Sequence, residues 1–404
     1  MQRIILLLDF AEEYSKSLLK GISTYSGKNG QWTFCRMPLY YREMMGVKGI
    51  LKWAKEWRAD GIIGQLYNEM EEEFIEGGIP VIAQDFKERF SKISNITGSY
   101  RQTGVMGAEY FLKKGYYNFA FYGFNTIVWS RERAEGFESA VKKAGYQVNY
   151  FEHKKARSTD IWYYKSKSLS KWLKNLPKPV ALMACDDNQG VHILEACNHN
   201  KIRVPQEVAV LGVDNDVTFC ELADPPLSSI VLDIERGGFE AAQVLHEMII
   251  TGENNYRDVI VPPLKVITRS STDMFASSDA YVAEALTFIH RNIDRNILVD
   301  QVVKEVPLSR RALEKRFLQI TGLPVYKYIT KVRMEKLAQK LLSSDQSIFE
   351  IAVDLGFQDS NNIARQFKQL MGYAPAEYRK RFGANSLWEV GVTRGKSLET
   401  SSKT

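Results

Sequence analysis

The chain has 404 residues, 45% hydrophobic and 25% charged, with a formal net charge of +6. This length exceeds what one hydrophobic core normally spans, so two or three lobes are expected, and the composition is that of a globular protein, not a disordered or fibrous one. No stretch approaches the roughly 18 uninterrupted apolar residues of a membrane span, and the N-terminus lacks a secretory signal, so the expectation is a cytoplasmic protein.

Residues 1–272 alternate apolar runs with amphipathic stretches. RIILLLDF, GIIGQLY, IPVIAQD, FAFYGF, YQVNYFE, VALMACDD and VAVLGVDND predict buried parallel strands. Helices are predicted around Tyr14–Tyr25, Thr103–Lys114, Arg131–Lys143, Asn188–Asn198 and Arg236–Thr251. This is a βαβ series, hence a doubly wound α/β fold with parallel sheets. Several strands end in carboxylates or amides, at Asp9, Asp85, Asp186, Asp187, Asp214 and Asn215. Ligands of such sheets bind at the carboxyl ends of the strands. An enzyme on this frame needs a phosphate cradle or a nucleophile, and no GxGxxG after a strand, GxxxxGK[ST] or GxSxG is present. Cys35, Cys185, Cys197 and Cys220 have no CxxC spacing and no HExxH occurs, so neither disulfide nor zinc frameworks are supported, and no cofactor is implied. A ligand-binding cleft is the simpler use of the fold.

A short polar linker, 273–279, separates this region from an all-α domain, 280–384. Val299, Val302 and Val303 form the apolar face of a helix that stops near Pro307. Ser309 caps a second helix, with Leu313, Phe317 and Ile320 inward and Arg310, Arg311, Lys315 and Arg316 outward. One continuous helix is predicted from Val325 to Leu342. The pattern then repeats: Ser347 caps a helix with Ile348, Ile351 and Ala352 on one face, Gly356 breaks it, and Phe357 plugs the turn. Asp359 or Ser360 caps a further helix with Ile363, Phe367 and Leu370 inward; Asn361, Asn362, Arg365, Gln366 and Lys368 face away. Two helix pairs of this kind, each displaying amide and basic side chains, fit two helices lying in DNA major grooves; the plainer reading is a pair of αα-hairpins. Residues 280–384 hold 17 Lys/Arg against 11 Asp/Glu, whereas 1–279 hold 34 against 35. Phosphate neutralisation needs such a local surplus. The tail, 385–404, loses periodicity and is expected to be partly disordered.

The run IAVDLGFQDSNNIARQFKQLMGYAPAEYR resembles the signature of the AraC family of transcription regulators, and LEKRFLQITGLPVYKYI resembles that family's first unit. The chain departs from it at Asn362 and Ile363, where members usually carry two aromatics. The resemblance implies duplex DNA as partner, read by Ser309, Arg310, Arg311, Asn361, Asn362 and Arg365. It also favours an activator, hence contact with RNA polymerase. A second resemblance lies in the order RIILLLDFAEEYSKSLLKGI, GAEYFLKKGYYNFAFYG, RERAEGF, ALMACDDNQGVHILEAC, VLGVDND, which is similar to the periplasmic-binding-protein-like ligand domain of the LacI/GalR regulators. It implies two lobes joined by three crossing strands near 97–101, 228–232 and 261–266, a homodimer, and a sugar effector.

By that resemblance Arg133, Asp186 and Asp214 are ligand-binding, with Trp129 covering a sugar ring and Asp9 a fourth polar contact. Guanidinium and carboxylate groups hold hydroxyls by charge-assisted hydrogen bonds. For the aspartates the competing role is helix capping, and for Trp129 it is packing between lobes. Leu232 and Ser99 replace a glutamine and an aspartate common in the family, which leaves xylose, another pentose or a related sugar open. The expected function is a sugar-responsive transcription regulator. Its rivals are a carbohydrate-active enzyme with an accessory helical domain and a DNA-binding regulator that responds to another ligand or to none.

Overall fold

The structure, a computed structural model, describes residues 1–10, 12–37, 39–66, 71–151, 167–253, 256–277, 279–344, 346–357 and 360–382. They divide into two compact units, Met1–Asp273 and Met274–Thr404. The first begins with β1 (Arg3–Leu7), α1 (Glu13–Lys28), β2 (Thr33–Arg36), α2 (Leu39–Trp57), β3 (Gly61–Gln65), α3 (Glu71–Glu76), β4 (Val81–Gln84) and β5 (Ser94–Gly98). After Ser99 the chain enters a second lobe: α4 (Tyr100–Lys113), β6 (Phe119–Tyr122), α5 (Val128–Lys143), β7 (Val148–Tyr150), α6 (Lys167–Asn175), β8 (Val180–Ala184), α7 (Asp187–His199), β9 (Val208–Val213), α8 (Val217–Leu222) and β10 (Ser228–Leu232). It returns to the first lobe in α9 (Ile234–Thr251) and β11 (Val259–Val261), and crosses a third time at Pro262 into β12 (Pro263–Ile267). The sheets run β11-β5-β4-β3-β1-β2 and β12-β10-β9-β8-β6-β7, all neighbours parallel except β10 with β12. The crossings lie side by side, for the Ser99 amide donates to the Val261 carbonyl (2.9 Å) and the Asp233 amide to that of Pro262 (3.0 Å).

Central strands such as β8 and β9 are buried at every residue, as a parallel sheet covered by helices on both faces requires. The 146–152 run is a correction to the expected buried strand. Only Val148–Tyr150 pairs, as the edge strand beside β6, and Asn149 and Tyr150 are exposed. An edge has a neighbour on one side only, so its apolar residues need not be covered. β2, not foreseen, is the matching half-exposed edge of the other sheet. In the second lobe α4 and α5 touch through glycine: a Cβ on Gly104 would sit 2.0 Å from the Arg133 carbonyl oxygen, and one on Gly136 1.9 Å from that of Arg101. Only glycine permits this approach, and it seats α5 firmly on α4.

The second unit comprises α10 (Ala280–Arg291), α11 (Val299–Lys304), α12 (Arg310–Thr321), α13 (Val325–Ser343), α14 (Ile348–Asp354), α15 (Ser360–Met371) and α16 (Pro375–Phe382). α13 serves two cores. Val325, Ile329 and Val332 join one cluster with Val302, Leu313 and Phe317, while Met334, Leu337 and Leu341 join another with Ile351, Ile363 and Phe367. Arg333, between the two sets, donates to Asn296 Oδ1 (3.1 Å) and the Ile297 carbonyl (3.0 Å), and its guanidinium lies 6.0 Å from the Phe357 ring centroid. Of the expected linker, Phe275 and Ala276 are buried in the second unit, where the Phe275 ring lies 4.3 Å from that of His290. Asp279 caps α10, its Oδ1 accepting from the amides of Tyr281 (3.0 Å) and Val282 (3.3 Å). On the other side Ser271 and Thr272 are buried in the first unit: Ser271 Oγ donates to the Val210 carbonyl (2.7 Å), and the Thr272 hydroxyl pairs with those of Ser228 and Tyr110 (2.6 Å each). Asp273 and Met274 are all that separates these anchors. The tail 385–404 lies outside the described residues.

Candidate functional site

A cleft of about 240 Å³ lies between the lobes of the first unit, with Glu12, Tyr14, Gln65, Gln84 and Phe86 on one side and Trp129, Arg133, Asp186 and Asp214 on the other. Arg133 is placed there by the glycine contact, being one helical turn before Gly136. It is 3% exposed. Its Nη1 donates to the Cys185 carbonyl and its Nη2 to Asp214 Oδ1 at 3.2 Å. Its guanidinium lies 5.2 Å from the Trp129 ring centroid and 5.6 Å from that of Tyr100. Nε, buried as well, has no hydrogen-bond partner among the described residues. Such an orphan donor costs about 1–3 kcal/mol until something accepts from it.

Asp214 and Asn215 follow β9 with φ of 99° and 53°, a left-handed conformation that non-glycine residues hold only when their surroundings enforce it. Here Asn215 is pinned by its amide to Ser229 Oγ (3.0 Å) and by Arg269 Nη2 to its Oδ1 (3.0 Å). Burial raises the Asp214 carboxyl while Arg133 opposes the rise. Asp186 both lines the cleft and caps α7, its Oδ1 accepting from the Gln189 amide at 2.7 Å. Burial pushes its carboxyl up to about 6. Glu12, in the β1–α1 turn, is pushed up to about 7 by desolvation and by the charges of Asp9, Asp214 and Asp186; its residue is open to solvent on one side, which screens part of that effect.

Trp129, Arg133, Asp186 and Asp214 thus converge. Asp9 is placed differently: the β1–α1 carboxylate that lines the cleft is Glu12's, and Asp9 acts on it through charge, its carbonyl accepting the Glu12 amide at 3.2 Å. Asp85 is a hinge anchor, 1% exposed, accepting from Thr97 Oγ1 and Tyr100 Oη at 2.6 Å each. Asp187 lines the floor of the cleft but is buried and internally paired, accepting from Ser229 Oγ (2.6 Å) and the Asp216 amide (2.7 Å). The sequence reading missed Gln65 and Gln84, the last residues of β3 and β4, which the strand-end rule applied to amides would have found. Leu232 is buried at the end of β10, and Ser99 stands at the first crossing.

In the second unit Ser309 caps α12, its Oγ accepting from the Ala312 amide at 3.3 Å. Ser347 and Glu350 cap α14 reciprocally, Ser347 Oγ accepting from the Glu350 amide (3.2 Å) and Glu350 Oε2 from the Ser347 amide (2.7 Å). The two units repeat at a fixed offset, pairing Leu313 with Ile363, Phe317 with Phe367 and Gly322 with Gly372. Ile320 and Leu370, expected inward, are 40% and 49% exposed. In both helices the last turn overhangs the cluster beneath it, and in α15 Met371 takes the inner seat. Arg310, Arg311 and Arg365 are exposed. Arg310 Nη1 reaches Asp300 Oδ1 at 3.0 Å and Arg316 Nη1 reaches Asp279 Oδ2 at 3.0 Å. The side chains of Asn361 and Asn362, and Asp359 entirely, lie outside the described residues.

Residues 108–272 match the model of a periplasmic binding protein-like domain, and residues 302–381 that of a helix-turn-helix domain. The xylose operon regulatory protein of Escherichia coli K12 is 28% identical over 388 residues, 93% of this chain and 96% of that protein. The solved structure of a xylose-binding transcription activator matches with a TM-score of 0.59 and 26% identity, over 94% of this chain and 98% of the other. A LacI-type regulator from Alkaliphilus metalliredigens, solved with D-xylulofuranose, shares the fold of the first unit (TM-score 0.56, 20% identity, 67% of this chain, 99% of that one). The chain is a transcription regulator that joins a periplasmic binding protein-like domain to a helix-turn-helix domain, and it is similar along nearly its whole length to the xylose operon regulatory proteins.

Proposed function

We propose that the interlobe cleft binds a pentose, D-xylose being the first candidate, and that the sugar alters how the helix-turn-helix unit engages duplex DNA. The observation that carries the cleft assignment is Arg133, buried, paired to Asp214 and left with an unpartnered Nε. A sugar hydroxyl supplies the missing acceptor, and the carboxylates of Asp214 and Asp186 accept from neighbouring hydroxyls. Sugar touching both lobes favours the closed arrangement, and only its differential affinity for closed over open can drive the change. Ser309, Arg310, Arg311, Asn361, Asn362 and Arg365 are the residues assigned to DNA. The relatives named above support xylose as effector, and the AraC resemblance supports activation, with RNA polymerase as a partner. A cytoplasmic homodimer, paired through the sensor domain, completes the reading.

The test is calorimetry of the full-length protein with a sugar panel. Arg133→Ala and Asp214→Ala should each lower pentose affinity tenfold to over a hundredfold, since about 1–3 kcal/mol or more is lost when a buried partner is stranded. Wild-type affinity in either variant removes that residue from the site, and a panel with no binder removes the sugar reading.

A further inference from the structure

Carboxylates outnumber cations in the cleft. Glu12, Glu13, Asp186, Asp187, Asp214 and Asp216 line it against one guanidinium, that of Arg133, which Asp214 already occupies. Two other arginines near the lobe boundary are bound elsewhere, Arg89 to Glu132 and Arg131 to Glu88. Among the described residues no lysine lines the cavity. What its charged groups offer a ligand is therefore mainly acceptors, with Arg133 Nε a buried donor that has no partner among the described residues. A polyol satisfies this pattern by donating its hydroxyl protons to the carboxylates and accepting from the guanidinium. A phosphate or carboxylate on the same sugar brings acceptors only, and its charge meets like charges in a partly desolvated space.

We propose that the cleft selects uncharged, unphosphorylated sugar, and that Glu12 and Asp186 are the specificity-determining residues that reject its phosphorylated or acid forms. The inference rests on the sugar reading of the cleft and deepens it: the effector is the sugar as it stands before any phosphoryl transfer to it. The rejection is also proton-linked. Glu12 and Asp186 lose their protons at about 7 and about 6, and the groups that face them are Asp9, Asp214, the Cys185 thiol and Arg133. Discrimination against a permanently charged sugar acid therefore grows as pH rises through that range.

The experiment titrates the full-length protein with D-xylose, D-xylose 5-phosphate and D-xylonate, in the wild type and in a Glu12→Gln/Asp186→Asn variant. The amide that replaces the Asp186 carboxylate keeps an acceptor for the Gln189 amide, so α7 stays capped. The wild type should prefer xylose to either anion at least a hundredfold at pH 8, and the variant should narrow that ratio at least tenfold. In the wild type the xylose-to-xylonate ratio should also shrink from pH 8 to pH 5.5, an arm that needs no substitution. Phosphate or xylonate binding as tightly as xylose, or a ratio that neither substitution nor pH moves, overturns the proposal while leaving the sugar site intact. Failure of all three ligands overturns the sugar reading itself, and the proposal with it.

Discussion

Arg89 of one lobe grips Glu132 of the other with two parallel hydrogen bonds, Nη1 to Oε1 at 2.6 Å and Nη2 to Oε2 at 2.8 Å. Arg89 also donates from Nε to Thr97 Oγ1 (3.0 Å) and lies 3.7 Å from Asp85 Oδ2, so it joins the hinge strand to α5. Beside it the polarity reverses, with Arg131 of α5 on Glu88 at 2.8 Å. A bidentate charge-assisted pair is worth about 1–3 kcal/mol when buried and roughly 0–1 kcal/mol when exposed, and this one is half-buried. An alanine double-mutant cycle on Arg89 and Glu132, read by denaturant unfolding, should give a coupling above about 1 kcal/mol. Arg89→Ala should cost more than Glu132→Ala because it also strips Asp85 of its cation. A coupling near zero would show that the pair does not hold the lobes, and equal single losses would show that Arg89 does nothing further for Asp85.

The Glu12 carboxyl sits above its ordinary 4.5, at about 7. A carboxyl whose folded-state value is raised holds its proton more tightly in the native protein, so its stabilising contribution is present below 4.5 and is lost as pH rises through 7. Glu12→Gln removes that liability. In thermal melts of the sugar-free protein, the stability gained by the variant over wild type should grow between pH 5 and pH 8, and a difference that is flat across this range would contradict the assignment.

Strand ends, helix stripes and caps were legible because each is a local rule. Ile4 to Leu7 and Val208 to Val213 are buried at every position, and Ser309 and Ser347 precede helices that need a cap. Legibility failed where the outcome depends on what packs from elsewhere. Ile320 and Leu370 carry the correct helical phase, yet both stay exposed at the last turn of their helices. Asp9 and Glu12 are both acidic residues beyond β1, and only the turn that ties the Glu12 amide to the Asp9 carbonyl decides which one faces the cleft. Phe275 reads as linker in sequence because a lone aromatic has no periodicity; its burial against His290 needs the folded unit.

On the DNA side, Arg311→Ala and Arg365→Ala should each weaken operator binding by about 1–3 kcal/mol and relax preference at one base pair if the side chain reads a base. A uniform loss, with the salt slope reduced by about one, would mark a phosphate contact instead. Arg310 is held by Asp300, and both are well exposed, so the pair is too weak to withhold the guanidinium from DNA. Asp300→Ala should therefore raise affinity modestly at low salt through removal of a nearby negative charge. A loss of affinity would instead make Asp300 a positioning residue for Arg310.

The two-residue tether sets the strongest condition on coupling. Thr272 is fixed in the sensor by Ser228 and Tyr110, and Phe275 is fixed in the helix-turn-helix unit. Ser228 begins β10, the strand that runs to the second crossing at Leu232. A change in lobe arrangement therefore has a short covalent route to the reader, with little slack to absorb it. Inserting Gly-Ser segments of two, six and twelve residues between Asp273 and Met274 leaves both anchors intact but adds conformational freedom that grows with length. DNA binding is followed by fluorescence anisotropy with and without xylose. The unmodified protein should show a sugar-dependent shift of fivefold or more, consistent with couplings of about 1–3 kcal/mol, and the sugar should respond to DNA by the same factor. That shift should fall stepwise with insertion length while sugar affinity without DNA stays constant. Undiminished coupling at twelve residues would place the communication elsewhere, in contacts between subunits rather than along the chain.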